Sequence, residues 1–115
     1  MSAFAPLSTH VLDATAGRPA AGMPVRLDRR DRTGWSQLAE SVTGPDGRLA
    51  GWVPAAGWAP GEYRLRFSTG SWFAERRRPT FYPEVVVIFT VTDPTEHQHV
   101  PLLLSPYGYS TYRGS

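Results

Sequence analysis

Cysteine and lysine are missing altogether from the 115 residues. Without cysteine there is no disulfide framework, no thiol nucleophile and no thiolate-based zinc or iron–sulfur site. Without lysine, all twelve positive charges are arginine, set against ten acidic side chains for a net charge of +2. Only Arg76-Arg77-Arg78 forms a basic run, and Arg29-Arg30 and Arg32 are flanked or interrupted by Asp28 and Asp31. The concentrated basic face of a nucleic-acid binder is therefore absent. No stretch approaches the ~18 apolar residues of a membrane span. There is no P-loop, no G-x-G-x-x-G and no G-x-S-x-G, so those routes to nucleotide binding or a serine nucleophile have no support. The opening Met1-Ser2-Ala3-Phe4-Ala5-Pro6 lacks a basic region followed by an apolar run. That is unlike a secretory leader, so a cytoplasmic home is the expectation, with a periplasmic one compatible with a trimmed chain.

What is present is enough for one folded domain over residues 1–115. Hydrophobic residues make up 41% and charged residues 19%, and folding a chain of this size hides roughly two-thirds of its unfolded surface. Eleven glycines and eleven prolines are scattered, cutting the chain into short segments as in an all-β sandwich. Leu7 to Asp13 reads as a first strand. Met23 to Asp31 alternates, with Val25 and Leu27 on one face and Arg26 and Asp28 on the other. Trp35 to Val42 follows. Thr43-Gly44-Pro45-Asp46-Gly47 is a strong turn, and Arg48 to Val53 a short strand after it. Glu62 to Ser68 alternates again. One helix is expected over Thr69 to about Arg77, capped by Thr69 or Ser71 and stopped by Pro79. Glu84 to Thr92 is apolar on both faces, which predicts cover from a partner chain or a neighbouring element. His99 to Ser105 and Tyr107 to Arg113 complete seven or eight strands.

Chemistry has few residues to draw on. The only histidines are His10, His97 and His99. His97 and His99 have the i, i+2 spacing that puts two rings on one strand face, and with His10 as a third ligand they would suit zinc. The alternative is partly exposed strand histidines with ordinary hydrogen bonds. The tail is unusual in another way. Val100 to Ser115 carries Leu102, Leu103, Leu104, Tyr107, Tyr109 and Tyr112 before ending in Arg113-Gly114-Ser115. So apolar and aromatic a tail must be packed, either as a plain final strand or as one that carries polar groups into a protected place.

Three segments together resemble one family. They are Leu7-Ser8-Thr9-His10-Val11-Leu12-Asp13, Pro45-Asp46-Gly47-Arg48, and the run from His97-Gln98-His99 through Tyr112-Arg113-Gly114-Ser115. They are similar to the 5-hydroxyisourate hydrolases, the transthyretin-like enzymes of urate breakdown. The resemblance covers essentially the whole chain, and the terminal Tyr-Arg-Gly-Ser is its most specific element, absent from the hormone-carrying transthyretins. Gln98 is a departure, standing where many members carry tyrosine. The resemblance implies a transthyretin-like β-sandwich of about eight strands in two sheets with one short helix. It implies a homotetramer of paired dimers, with sites in the channel where dimers meet. Carried over, the catalytic set falls on His10, Arg48 and His99. The substrate-binding set is His10, Arg48, Tyr112, Arg113, Gly114 and Ser115. His97 stays outside both. No metal and no organic cofactor are implied. The activity implied is hydrolysis of 5-hydroxyisourate, a small molecule, by a histidine-activated water. A carrier with the same channel, a metal-dependent amidohydrolase using all three histidines, and a structural interaction domain are the rival readings.

Overall fold

The computed structural model describes residues 3–115. Met1 and Ser2, the head of the stretch read for a leader, lie outside the described residues. Among the described residues there are nine strands and one helix. The strands are β1 (Leu7–Asp13), β2 (Arg18–Pro19), β3 (Pro24–Asp31), β4 (Gly34–Val42), β5 (Arg48–Leu49), β6 (Gly61–Phe67), β7 (Val85–Val91), β8 (Gln98–Ser105) and β9 (Gly108–Thr111). The helix α1 spans Thr69–Glu75. One sheet runs β2-β1-β8-β9 with β5 attached to β1, and the other runs β4-β3-β6-β7. The expected two-sheet sandwich with a single short helix is the observed architecture.

Alternation decides which residues the layers hide. Leu7, Val11, Leu102 and Leu104 point inward from one sheet, and Val25, Leu27, Tyr63, Leu65 and Phe67 from the other, each at most 2% exposed. Burying a large apolar side chain is worth about 1.5–3 kcal/mol, so this interleaved set fixes the pairing of the sheets. Tyr63 brings a hydroxyl into the core, and it donates to the Ala59 carbonyl at 2.6 Å while accepting from the Ala59 N–H at 3.0 Å. Asp28 departs from a simple polar-out position. It is only 3% exposed, on the outer face of β3, because the arginines of β6 fold over it, Arg64 at 2.6 Å and Arg66 at 3.6 Å.

Two local expectations need correction. The strand expected over 48–53 is only Arg48–Leu49, because Gly51 turns the chain at φ +58° and Val53 is buried from a loop, held by the Ala5 N–H at 2.7 Å. The helix stops at Glu75, and neither expected cap forms. Ser68 is the N-cap residue without a side-chain bond, Thr69 donates to the Tyr82 carbonyl, and Ser71 donates back to Ser68. Arg77 sits in the left-handed region at φ +54°, ending the helix ahead of the Arg78–Pro79 boundary. The guanidinium of Arg76 still meets a helix carbonyl, that of Trp72, at 3.0 Å.

Candidate active site

β1 and β8 run parallel, and their register sets Ser8 beside His99 and His10 beside Pro101. Register partners share a sheet face, and so do residues two apart on a strand. Leu7, Thr9 and Val11 face the core, so Ser8, His10 and His99 face outward. β5 then pairs antiparallel with the other edge of β1, with Arg48 opposite His10. Three residues that lie far apart in the chain thus meet on one outer face of one sheet.

The turn before β5 is built for this approach. Gly47 has φ +76°, and a Cβ there would lie 2.4 Å from the Val11 carbonyl oxygen, so only glycine lets the turn close against β1. The preceding Asp46 does two things. Its carboxylate accepts from the Arg48 N–H at 3.0 Å, shaping the turn, and lies 3.9 Å from the Arg48 guanidinium. Its backbone oxygen lies 2.9 Å from His10 Nε2. A carbonyl oxygen only accepts, so His10 carries its proton on Nε2 and keeps its Nδ1 lone pair when neutral.

The tail closes over β8. Gly114 bridges to His99, donating its N–H to the His99 carbonyl at 2.9 Å. A Cβ on Gly114 would stand 2.5 Å from His99 Cδ2 and 3.2 Å from Pro101 Cγ. The glycine of the Tyr-Arg-Gly-Ser ending is therefore what allows the chain to lie flat on the imidazole. Tyr112 and Arg113 line a hollow of about 340 Å³ with His99, Gln98, Val87 and Phe89. The Arg113 guanidinium is held by the Glu96 carboxylate at 2.5 Å. Ser115 is exposed at the end of the chain.

Electrostatics separates His99 from an ordinary exposed histidine. Burial, then the positive fields of His97, Arg48 and His10, push its pKa below the ordinary value of 6.5, against a smaller opposing effect of Ser8. The shift favours the neutral form of His99, which keeps a lone pair on one ring nitrogen.

Sequence reasoning passed over Ser8. Its hydroxyl lies 2.7 Å from His99 Nδ1 and 2.8 Å from His97 Nε2. The available signal was parity: Ser8 stands two residues before His10 on the same face of β1. The same geometry bears on the zinc reading. His97 and His99 turn ring nitrogens toward Ser8 and His10 turns one toward Asp46, and no group of three or more His, Asp or Glu among the described residues is arranged to hold a metal ion.

Residues 7–114 match the model of the HIUase/Transthyretin family. The 5-hydroxyisourate hydrolase of Salmonella typhimurium is 49% identical over 109 residues, 95% of this chain and 80% of that protein. The solved 5-hydroxyisourate hydrolase of Klebsiella pneumoniae superposes with a TM-score of 0.83 at 41% identity, covering 95% of this chain and 98% of that one. Transthyretin from Sparus aurata has the same fold, with a TM-score of 0.90 over 96% and 97% of the two chains, at 28% identity. The sequence is thus nearer to these hydrolases than to that transthyretin, although the backbone suits both. With an outward-facing His–Arg–His face on a transthyretin-like sandwich, and the family model matched over nearly its whole length, this chain belongs to the HIUase/Transthyretin family.

Proposed function

We propose that this chain hydrolyses 5-hydroxyisourate to 2-oxo-4-hydroxy-4-carboxy-5-ureidoimidazoline, opening the six-membered ring by adding water to a ring amide carbonyl. The observation that carries this reading is the register that puts His10, Arg48 and His99 on one sheet face. Water is a poor nucleophile at neutral pH, and a base that takes its proton is worth typically 10²–10⁴-fold. His99 fits that role, its pKa pushed down by burial and then by His97, Arg48 and His10 around it. His10 has Nε2–H committed to Asp46, leaving its Nδ1 lone pair to accept a hydrogen bond that orients the substrate, while the departing ring nitrogen takes its proton from solvent. As water attacks, negative charge gathers on the carbonyl oxygen, and Arg48, on the exposed side of the same face, is the guanidinium to meet it. In this reading Tyr112 and Arg113, which line the hollow with His99, Gly114, which lies on its ring, and Ser115 complete the substrate-binding set.

A face this open needs a lid to exclude water from the reacting ring. The second part of the proposal is that copies of this chain supply it, as a homotetramer with sites where dimers meet. The edge strand β7 supports association, exposing Val86 (38%) and Ile88 (58%) side by side on its outer face. A pure carrier would line its channel mostly with apolar groups, whereas this face carries two histidines and an arginine.

The direct test is the absorbance decay of 5-hydroxyisourate generated fresh by urate oxidase, with and without the protein. Acceleration that persists after dialysis against a chelator is expected. Decay at the spontaneous rate would end the enzymatic reading, and loss on dialysis would favour the metal-dependent one.

A further inference from the structure

We infer that Ser8 and His97 are positioning residues for His99, the serine hydroxyl bridging the two imidazoles and relaying protons between the reacting face and an exposed histidine. This rests on the proposal that His99 is the base.

Three observations carry the inference. First, Ser8 is 8% exposed and its Oγ lies within hydrogen-bond distance of both rings, 2.7 Å from His99 Nδ1 and 2.8 Å from His97 Nε2. With a single proton, the hydroxyl donates to one ring and accepts from the other. Second, when His99 Nε2 is unprotonated and ready to act, the neutral ring carries its proton on Nδ1. That N–H donates to Ser8, and Ser8 donates to His97 Nε2. The chain of bonds therefore selects the tautomer of His99 that a base needs, and holds the ring plane in place. Third, the two rings are nearly parallel, 22° apart with centroids 6.1 Å from each other, and His97 is exposed, lining a separate hollow of about 670 Å³ with Trp58, Pro94 and Thr95. The outer end of the relay opens to solvent through this hollow, which Ser8 also lines.

The transfer balances. A proton leaves water and bonds to His99 Nε2 as the water oxygen attacks. The Nδ1 proton of His99 passes to Ser8 Oγ, and the hydroxyl proton passes to His97 Nε2. His99 ends neutral in its other tautomer and His97 ends as imidazolium, which solvent deprotonates. Positive charge is thus moved away from the Arg48 guanidinium. The groups that face His99 are His10 from β1, Arg48 from β5 and His97 ahead of β8. The tail across it carries Arg113, paired to Glu96.

The test compares Ser8→Ala, Ser8→Thr and His97→Ala with the unaltered protein and with His99→Ala, reading kcat, KM and the pH profile of kcat. Removing an outer hydrogen-bond partner of a working group typically costs roughly 10–100-fold. Ser8→Ala is expected to lose that in kcat with KM little changed and with the acid limb displaced. Ser8→Thr, which keeps the hydroxyl, should restore both. His97→Ala should lose kcat and regain it with imidazole added to the buffer. A wild-type kcat and pH profile in Ser8→Ala overturns the relay. So does an equal loss in Ser8→Ala and Ser8→Thr at unchanged pH profile, which would mark a packing role. Full activity in His99→Ala would instead overturn the base assignment on which the relay stands.

Discussion

The Gly114 backbone lies against the ring of His99 while its N–H bonds to the carbonyl of that same residue. One residue of the tail thus holds both the strand and the imidazole of the proposed base. Gly114→Ala would drive a methyl group to 2.5 Å from His99 Cδ2. Either the ring or the tail must move, and displacements near 1 Å in a catalytic group can cost on the order of 100-fold. We expect turnover to fall by about that factor while the thermal midpoint changes little, since the tail lies outside the core. A variant with unimpaired turnover would show that the contact is dispensable.

Arg48→Ala should lower kcat roughly 10²–10³-fold, the loss seen when one oxyanion donor is removed. Arg48→Lys should recover little of it, because a lysine ammonium lacks the planar fork of donors. Absorbance decay with purified variants decides the point. Near-normal decay in Arg48→Ala would remove Arg48 from the mechanism.

The pH behaviour follows from the sign of the His99 shift. Folding depresses its pKa below 6.5, so the folded chain holds this imidazole neutral where the unfolded chain protonates it. The unfolded state then binds more protons, and stability falls as pH drops from about 6.5 toward the lower folded value. The acid limb of kcat/KM reports the free enzyme and should lie below pH 6.5. An acid limb above 6.5 would contradict the neutral-base assignment.

Asp13 and Arg78 make a close ion pair at the edge of the core. Burial alone would raise the Asp13 carboxyl, but the bond from Arg78, the N–H of Ala16 and the nearby positive charge outweigh it and hold the pKa below 3.8. The pair is two-pronged, at 2.5 and 3.3 Å, and Asp13 is only 3% exposed. Arg78→Ala strands a buried carboxylate and should destabilise by about 3 kcal/mol in urea titrations near neutral pH. Because the carboxyl is depressed, its contribution is present above pH 3.8 and is lost as pH falls through the folded value, so the gap between variant and parent should narrow in acid.

Ile88→Glu tests the association surface. If β7 is an interface of the proposed tetramer, a carboxylate in the centre of its exposed row should yield smaller species in sedimentation and lower activity with them. An unaltered sedimentation profile would place the interface elsewhere.

Much of the fold was legible because its signals are local. The alternation in β3 and β6 located the inward rows, and Pro45-Asp46-Gly47 marked the turn before Arg48. The misjudged pieces depend on tertiary contact. The strand after Arg48 ends early because Gly51 turns there, and the expected capping hydroxyl of Thr69 is drawn away by Tyr82. His10, Arg48 and His99 were named through the resemblance to a family, because no periodicity reveals that β1 pairs parallel with β8. Ser8 escaped notice for the same reason, since both histidines it touches lie at the other end of the chain.

Ser8 and His99 are 91 positions apart in sequence and neighbours in one ladder. During synthesis the edge of the first strand that meets β8 must therefore wait until almost all of the protein has left the ribosome. Topologies dominated by such distant partners fold slowly. No nascent fragment short of β8 can hold the face that joins His10, Arg48 and His99, so the proposed chemistry must await the last strands.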